Sequence, residues 1–395
     1  MTNLVNLNPA VEVALLGAAL ALLPASWAMW RGRRQGLRGW PAWQRVLTVA
    51  TLFLTLDLVV FGAFTRLTDS GLGCPDWPGC YGELSPFQAH GHISAAQAVA
   101  PDGPVTHGKA WIEMVHRYLA TAVGALITGL MLMAWRMRRA GGLSPWWATA
   151  TFVWVCAQGA FGALTVTLKL QPIIVTGHLL GAVLGVAMLA AQVRLLSPRQ
   201  APVDGAWAGA GLRRLGMAVL ALLVLQIASG AWVSTNYAVL ACTEFPTCQG
   251  QWWPDTDFTA AFRLMRPLGG DGEGGYLTLA GLTAIHLVHR CLAMAVALVL
   301  ALYARRLYLW QAHGGCPWQR EARVLGVLVA WQPASGLSNV VLGWPLAAAL
   351  AHTLGAALLV GWLVRLLVLP RGLPAGQTVP AHQGHHGGAA HLSAS

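Results

Sequence analysis

Two stretches of the chain repeat each other almost word for word: Glu113-Met114-Val115-His116-Arg117-Tyr118-Leu119-Ala120 and His286-Leu287-Val288-His289-Arg290-Cys291-Leu292-Ala293. Each opens a long apolar segment. One hydrophobic hairpin further on, each is followed by a second histidine, in Gly177-His178-Leu179-Leu180-Gly181-Ala182 and in Ala351-His352-Thr353-Leu354-Gly355-Ala356. The chain is therefore read as a tandem duplication with two histidines per half.

Composition sets the class. Of 395 residues, 56% are hydrophobic and only 10% charged, and the mean hydropathy is +0.56. Such a chain is a polytopic membrane protein rather than a soluble enzyme. A run of about twenty apolar residues spans a bilayer. Nine segments qualify: 10–30, 45–66, 113–135, 146–168, 172–195, 212–235, 277–303, 321–343 and 345–369. The first contains Pro24, and a signal peptide competes for it, but Met1 to Ala10 lacks the basic start such a peptide needs. It is taken as a span.

Arginines cluster in every second connection. Arg31, Arg33, Arg34 and Arg38 follow the first span, and Arg136, Arg138 and Arg139 the third. Arg194, Arg199, Arg213 and Arg214 follow the fifth, and Arg305, Arg306, Arg320 and Arg323 the seventh. The positive-inside rule places these connections in the cytoplasm, the N-terminus in the periplasm and the C-terminus in the cytoplasm of a bacterial inner membrane. The net charge of +11 is mostly this topology signal. No basic stripe with interleaved aromatics marks a nucleic-acid surface, so the surrounding partner is membrane lipid.

The two long loops on the other side each carry a cysteine pair, Cys74 with Cys80 and Cys242 with Cys248. In an oxidising compartment such pairs can close as disulfides. A structural staple over the membrane is the plain reading, and a redox-active pair near a cofactor the sharper one. Cys156 and Cys291 lie inside spans and read as small apolar filler; Cys316 is cytoplasmic and unpaired.

The predicted fold is all-α: two tandem four-helix bundles related by a pseudo-twofold axis along the membrane normal, plus one extra N-terminal helix. The divisions are 1–44 for that helix and its basic loop, 45–196 and 197–370 for the halves, and 371–395 for a disordered tail rich in His and Gly. A lone intramembrane histidine is commonly a hydrogen-bonded core residue or a proton relay. A repeated pair on separate helices points instead to two imidazoles on opposite faces of one heme iron. His116 with His178, and His289 with His352, form the two pairs. Zinc is the weaker reading, because no third ligand recurs around either pair. His286 lies three residues before His289, but the repeat aligns His286 with Glu113 and His289 with His116.

Glu113 is the main difference between the halves. It reads either as a carboxylate near a helix start, favoured by the dipole, or as a proton-transfer group beside a substrate. The second reading places chemistry in the first half and a stably bound heme in the second. Arg117 and Arg290 are candidates for heme propionate contacts, with interfacial anchoring as the competing role.

The run Gly62-Ala63-Phe64-Thr65-Arg66-Leu67-Thr68-Asp69-Ser70-Gly71-Leu72-Gly73-Cys74-Pro75-Asp76-Trp77-Pro78-Gly79-Cys80 resembles the first outer loop of the heme A synthase family. The Glu-x-x-His-Arg run of Glu113 to Arg117, the cysteine pairs and the four histidines resemble the bacterial members with loop cysteines. The likeness covers roughly residues 45–369. It implies oxidation of the C8 methyl of heme O to a formyl group, by two hydroxylations and loss of water, giving heme A for cytochrome oxidase. It further implies that His116 and His178 hold the substrate heme O, that Glu113 lies near its reacting edge, and that His289 and His352 hold a heme b. Cys74 and Cys80 would be functionally important. Heme O synthase and cytochrome oxidase assembly factors would be natural partners, and a homo-oligomer stays open. The resemblance does not extend to the first helix, to the glycine-rich insert of residues 268–275 or to the tail with His382, His385, His386 and His391. The sequence names no electron donor or acceptor.

Two rival functions make different demands. A di-heme b electron carrier linked to quinone needs two equivalent hemes and no Glu113. A membrane thiol-disulfide oxidoreductase makes the histidines incidental. A transporter on the same repeat lacks a span broken at mid-membrane and a polar pathway.

Overall fold

The computed structural model describes residues 8–37, 39–139, 142–197, 209–267, 277–310 and 317–368. Arg38, Arg199, Cys316, the glycine-rich insert and the histidine-rich tail lie outside the described residues. The helices in chain order are α1 (Asn8–Arg34), α2 (Trp40–Leu67), α3 (His90–Val99), α4 (His107–Arg136), α5 (Pro145–Thr167) and α6 (Pro172–Leu195). They continue with α7 (Gly209–Thr235), the single turn α8 (Phe258–Ala261), α9 (Leu279–Leu309), α10 (Pro317–Val341) and α11 (Leu346–Leu367). No β-strand forms among the described residues, and nine of the helices are long and apolar enough to cross a membrane. They are the nine segments expected from hydropathy.

The starts of the helices follow from local chemistry. Proline stands at the first turn of α2, α5 and α6, where its missing N–H costs no helical bond. The two His-Arg helices share a threonine cap. Thr106 Oγ1 accepts from Lys109 N at 3.2 Å in α4, and Thr278 Oγ1 from Gly281 N at 3.2 Å in α9. The Thr106 cap starts α4 six residues before the expected boundary at 113, which marked only the onset of apolar sequence. Glu113 therefore sits well inside the helix, so the reading of it as a first-turn carboxylate is corrected.

The long helices close into two rings. In the first, α2 packs on α4 and α6, and α5 packs on the same two helices. In the second, α7 packs on α9 and α11, and α10 packs on those two. The rings meet where α6 touches α7 and α11, and where α11 touches α2. Exchanging α2 with α7, α4 with α9, α5 with α10 and α6 with α11 maps this set of contacts onto itself, which is the pattern a pseudo-twofold demands. Helix α1 stands outside both rings against α4 and α2.

A large apolar core fills the end of the second ring nearer the arginine-rich connections. It joins Val219, Leu223, Leu300, Tyr303, Leu325 and Leu363. The four paired histidines lie in the first half of their helices, toward the disulfide loops, beyond that packing. Cys156 and Cys291 lie on spans, as expected, and are exposed.

Helix α1 approaches α4 closely because of a glycine. A Cβ built on Gly17 would fall 2.4 Å from Thr121 Cγ2, and small residues at such crossings let membrane helices meet. Gly17→Leu is expected to lower stability by about 1–3 kcal/mol through overpacking. Gly159→Leu, at a position with nothing within 4 Å, should be neutral. Thermal unfolding of both variants in detergent checks the contrast.

Candidate functional site: two paired-imidazole sites beneath disulfide loops

Each cysteine pair is closed. Cys74–Cys80 and Cys242–Cys248 have Cα separations of 5.0 and 4.8 Å. Beyond each ring the chain turns back at once, through Tyr81-Gly82 and Gln249-Gly250. All four residues have positive φ, 54°, 76°, 54° and 72°, as a two-residue hairpin turn of the tightest type requires. An acid two residues after the first cysteine ties the turn down. Asp76 accepts from the N–H groups of Tyr81 and Gly82 at 2.6 Å each, and Glu244 accepts from Gly250 N at 2.5 Å.

The arginine of each His-Arg pair clamps its loop from below. Arg117 donates to the carbonyls of Asp76 at 2.9 Å, Pro78 at 3.3 Å and Gly79 at 2.5 Å. Arg290 donates to Cys242 at 3.1 Å, Glu244 at 2.8 Å and Thr247 at 3.1 Å. Both guanidinium groups are buried, so these carbonyls replace the water the charge has lost. Besides this loop backbone, Arg117 pairs with the carboxylate of Glu113.

The imidazoles come next. His116 and His178 lie within electrostatic reach of one another, as do His289 and His352. Each ring is met by a glycine on the neighbouring helix. A Cβ on Gly62 would fall 3.0 Å from His116, on Gly162 3.7 Å from His178, on Gly230 3.0 Å from His289, and on Gly336 3.2 Å from His352. The four glycines occupy matching places in the repeat. Sequence reasoning passed over them, although Gly62-Ala63 and Gly230-Ala231 stand at the same register of the repeat.

His286 is different. It is 3% exposed, and its Nδ1 is buried with no hydrogen-bond partner among the described residues. The glycine of α7 faces His289 instead. At the matching place in the first half, Glu113 is 4% exposed and fully engaged. One carboxylate oxygen pairs with Arg117, and the other accepts from Cys74 N at 2.8 Å. Glu113 thus joins the disulfide loop, the arginine clamp and the His116 helix. Among the described residues no group of three or more His, Cys, Asp or Glu converges in a way that could hold a metal ion.

The halves are also tied together at this level. Arg66 donates to Ser234 O at 2.6 Å and lies 3.9 Å above the Tyr237 ring. Tyr237 in turn donates to Asp69 at 2.5 Å. Burial pushes the Tyr237 phenol above its ordinary range, which keeps it protonated as that donor.

Removing a clamp should free one loop only. Arg290→Ala is expected to destabilise the second loop by about 3 kcal/mol, the loss of a charged group's hydrogen bonds. Under graded dithiothreitol with maleimide labelling, Cys242–Cys248 should open at lower reductant than in the parent protein, with Cys74–Cys80 unchanged.

The sequence profile of the cytochrome oxidase assembly protein family matches residues 45–364, which includes both rings and excludes α1. A heme A synthase of Shewanella oneidensis is 37% identical over 80% of this chain and 93% of its own length. Heme A synthases of Methylobacterium sp. and Rhizorhabdus wittichii are 30% and 28% identical, covering 89% and 79% of this chain and 99% and 89% of their own. With two paired-imidazole rings under matched disulfide loops, and a family match over most of its length, the chain belongs to the cytochrome oxidase assembly protein family.

Proposed function

We propose that this protein is a heme A synthase, a multi-pass membrane oxidoreductase that converts the C8 methyl of heme O to the formyl group of heme A. The observation that carries the reading is the recurrence of one paired-imidazole site in both rings, with an ionisable carboxyl, Glu113, added to the first alone. The relatives bearing the name heme A synthase support it.

The residues fit a heme in each half. Two half-buried imidazoles from different helices suit the two faces of one iron, and the glycines opposite them leave space at the rings that a side chain would fill. His289 and His352 would hold a heme b, which supplies electron transfer when bound. His116 and His178 would hold the substrate heme O.

Glu113 is assigned to proton transfer beside the reacting methyl, one helical turn from His116. Both of its oxygens are engaged, by Arg117 and by the Cys74 N–H. Each oxygen keeps a second lone pair for a proton, and the hydrogen bonds from Arg117 and the Cys74–Cys80 loop set the basicity of the carboxylate. Arg117 and Arg290 are assigned to holding the loops. The arginine-rich connections support a topology with the C-terminus in the cytoplasm of a bacterial inner membrane and the disulfide loops in the periplasm.

Pigment extracted from purified protein tests the function. Protein produced with a heme O synthase should yield heme A or its hydroxymethyl precursor, and protein produced without one should yield neither. Two hemes b per chain under both conditions would identify a di-heme electron carrier instead. Glu113→Gln should keep its heme content while conversion falls by about 10²–10⁴-fold, the usual worth of a positioned proton-transfer group. His289→Ala should lose the resident heme b and His286→Ala should retain it, as read from the absorption spectrum of the reduced protein.

A further inference from the structure

The two pairs of histidines differ in what holds them. In the second half each ring has a serine at Nδ1, with Ser229 Oγ 2.9 Å from His289 and Ser335 Oγ 3.0 Å from His352. Each hydroxyl also donates to its own helix. Ser229 Oγ donates to Gln226 O at 2.8 Å, and Ser335 Oγ to Trp331 O at 2.8 Å, the common bond of a helical serine to the preceding turn. A hydroxyl has one proton. With that proton on a backbone carbonyl, the serine can only accept from the imidazole. In that arrangement Nδ1 carries the ring hydrogen, and the lone pair is left at Nε2 for a metal. The Gln226 amide nitrogen lies 3.1 Å from His289 Nδ1 and 3.4 Å from Nε2; exchanging the amide's N and O, which gives its unpartnered oxygen the ring hydrogen, makes it a second acceptor.

The first half has no such arrangement. In the repeat, Phe61-Gly62 stands where Ser229-Gly230 does, and Phe161-Gly162 stands where Ser335-Gly336 does. Leu58 replaces Gln226. The His178 Nδ1 atom is buried with no hydrogen-bond partner among the described residues. His116 lies parallel to the Phe61 ring, with centroids 6.4 Å apart, a contact that leaves the tautomer open.

We propose that Ser229 and Ser335 fix the tautomer and orientation of His289 and His352 and so make the second half the permanently occupied heme site, whereas Phe61 and Phe161 leave His116 and His178 free to release their porphyrin. A substrate site must let its product go, and a resident cofactor site must not. Both serines are positioning residues: they act through the histidine and touch no reacting atom. Hydrogen-bonded partners of a ligating imidazole raise its basicity and typically change metal affinity by about 10–100-fold. The proposal rests on the heme A synthase reading and on the assignment of heme b to the second half.

The full chain, purified in detergent from cells without heme O synthase, provides the test. Heme loss to excess apomyoglobin is followed for the parent, Ser229→Ala/Ser335→Ala and Phe61→Ser/Phe161→Ser, together with the midpoint potential of the bound heme. The serine double variant should lose its heme about 10–100-fold faster, and its potential should rise as the ligands become less basic. The phenylalanine double variant, produced instead with a heme O synthase, should slow loss of the porphyrin held in the first half. An unchanged loss rate and potential in the serine variant would overturn the proposal. If the alanine changes unfold the protein, Ser229→Thr/Ser335→Thr decides. Parent-like heme retention in that variant supports the hydroxyl role, and a folded threonine variant with fast loss overturns it. Failure of the underlying reading looks different: the parent itself would then hold no heme that depends on His289 and His352.

Discussion

A histidine inside an apolar bundle must find partners for its ring nitrogens or leave them buried and unsatisfied. Here the second pair finds serine hydroxyls, the His178 Nδ1 is left unpartnered among the described residues, and all four rings share one packing geometry. Each paired imidazole projects from one helix toward a glycine of the next, and that glycine sets the local spacing of the ring. Gly62, Gly162, Gly230 and Gly336 are as much a part of the sites as the histidines. The order of helices in each ring follows from the same demand. The two histidine-bearing helices, α4 and α6 or α9 and α11, are separated by two helices that each bring a glycine to one of them.

Above the imidazoles the architecture is polar, and it is held by backbone. A buried guanidinium in each half collects the carbonyls of a disulfide-closed turn, and an acid of that turn collects its amides. In the second half the guanidinium is held by backbone dipoles, with no carboxylate hydrogen-bonded to it among the described residues. The first half adds Glu113 to the same clamp. A buried carboxylate paired with arginine gives little net stability, since desolvation of both ions offsets their attraction. That balance supports a chemical reason for the carboxyl and not only a structural one.

Much of this was legible in the sequence. The duplication, the nine spans and the two cysteine loops follow from hydropathy and from repeated motifs, because burial in lipid requires long uninterrupted apolar helices. The choice of His289 over His286 rested on the register of the repeat, and the glycine of α7 faces His289. Other features were not legible. The start of α4 was misplaced because its cap lies in polar sequence ahead of the apolar run. The roles of Arg117 and Arg290 depend on which carbonyls a distant loop brings to them.

The sequence alone determined that the chain is a membrane protein, that it is duplicated, and that each half carries two histidines and a closable cysteine pair. These properties are local or periodic, and any reader of residue order can recover them. Tertiary structure decided which residues stand around each imidazole: glycine at all four, serine at two and phenylalanine near the other pair. Those neighbours come from helices dozens of residues away, and only the closing of the rings brings them together. The physical difference between the halves therefore lies less in the ligands, which repeat, than in the helix faces packed against them, which do not.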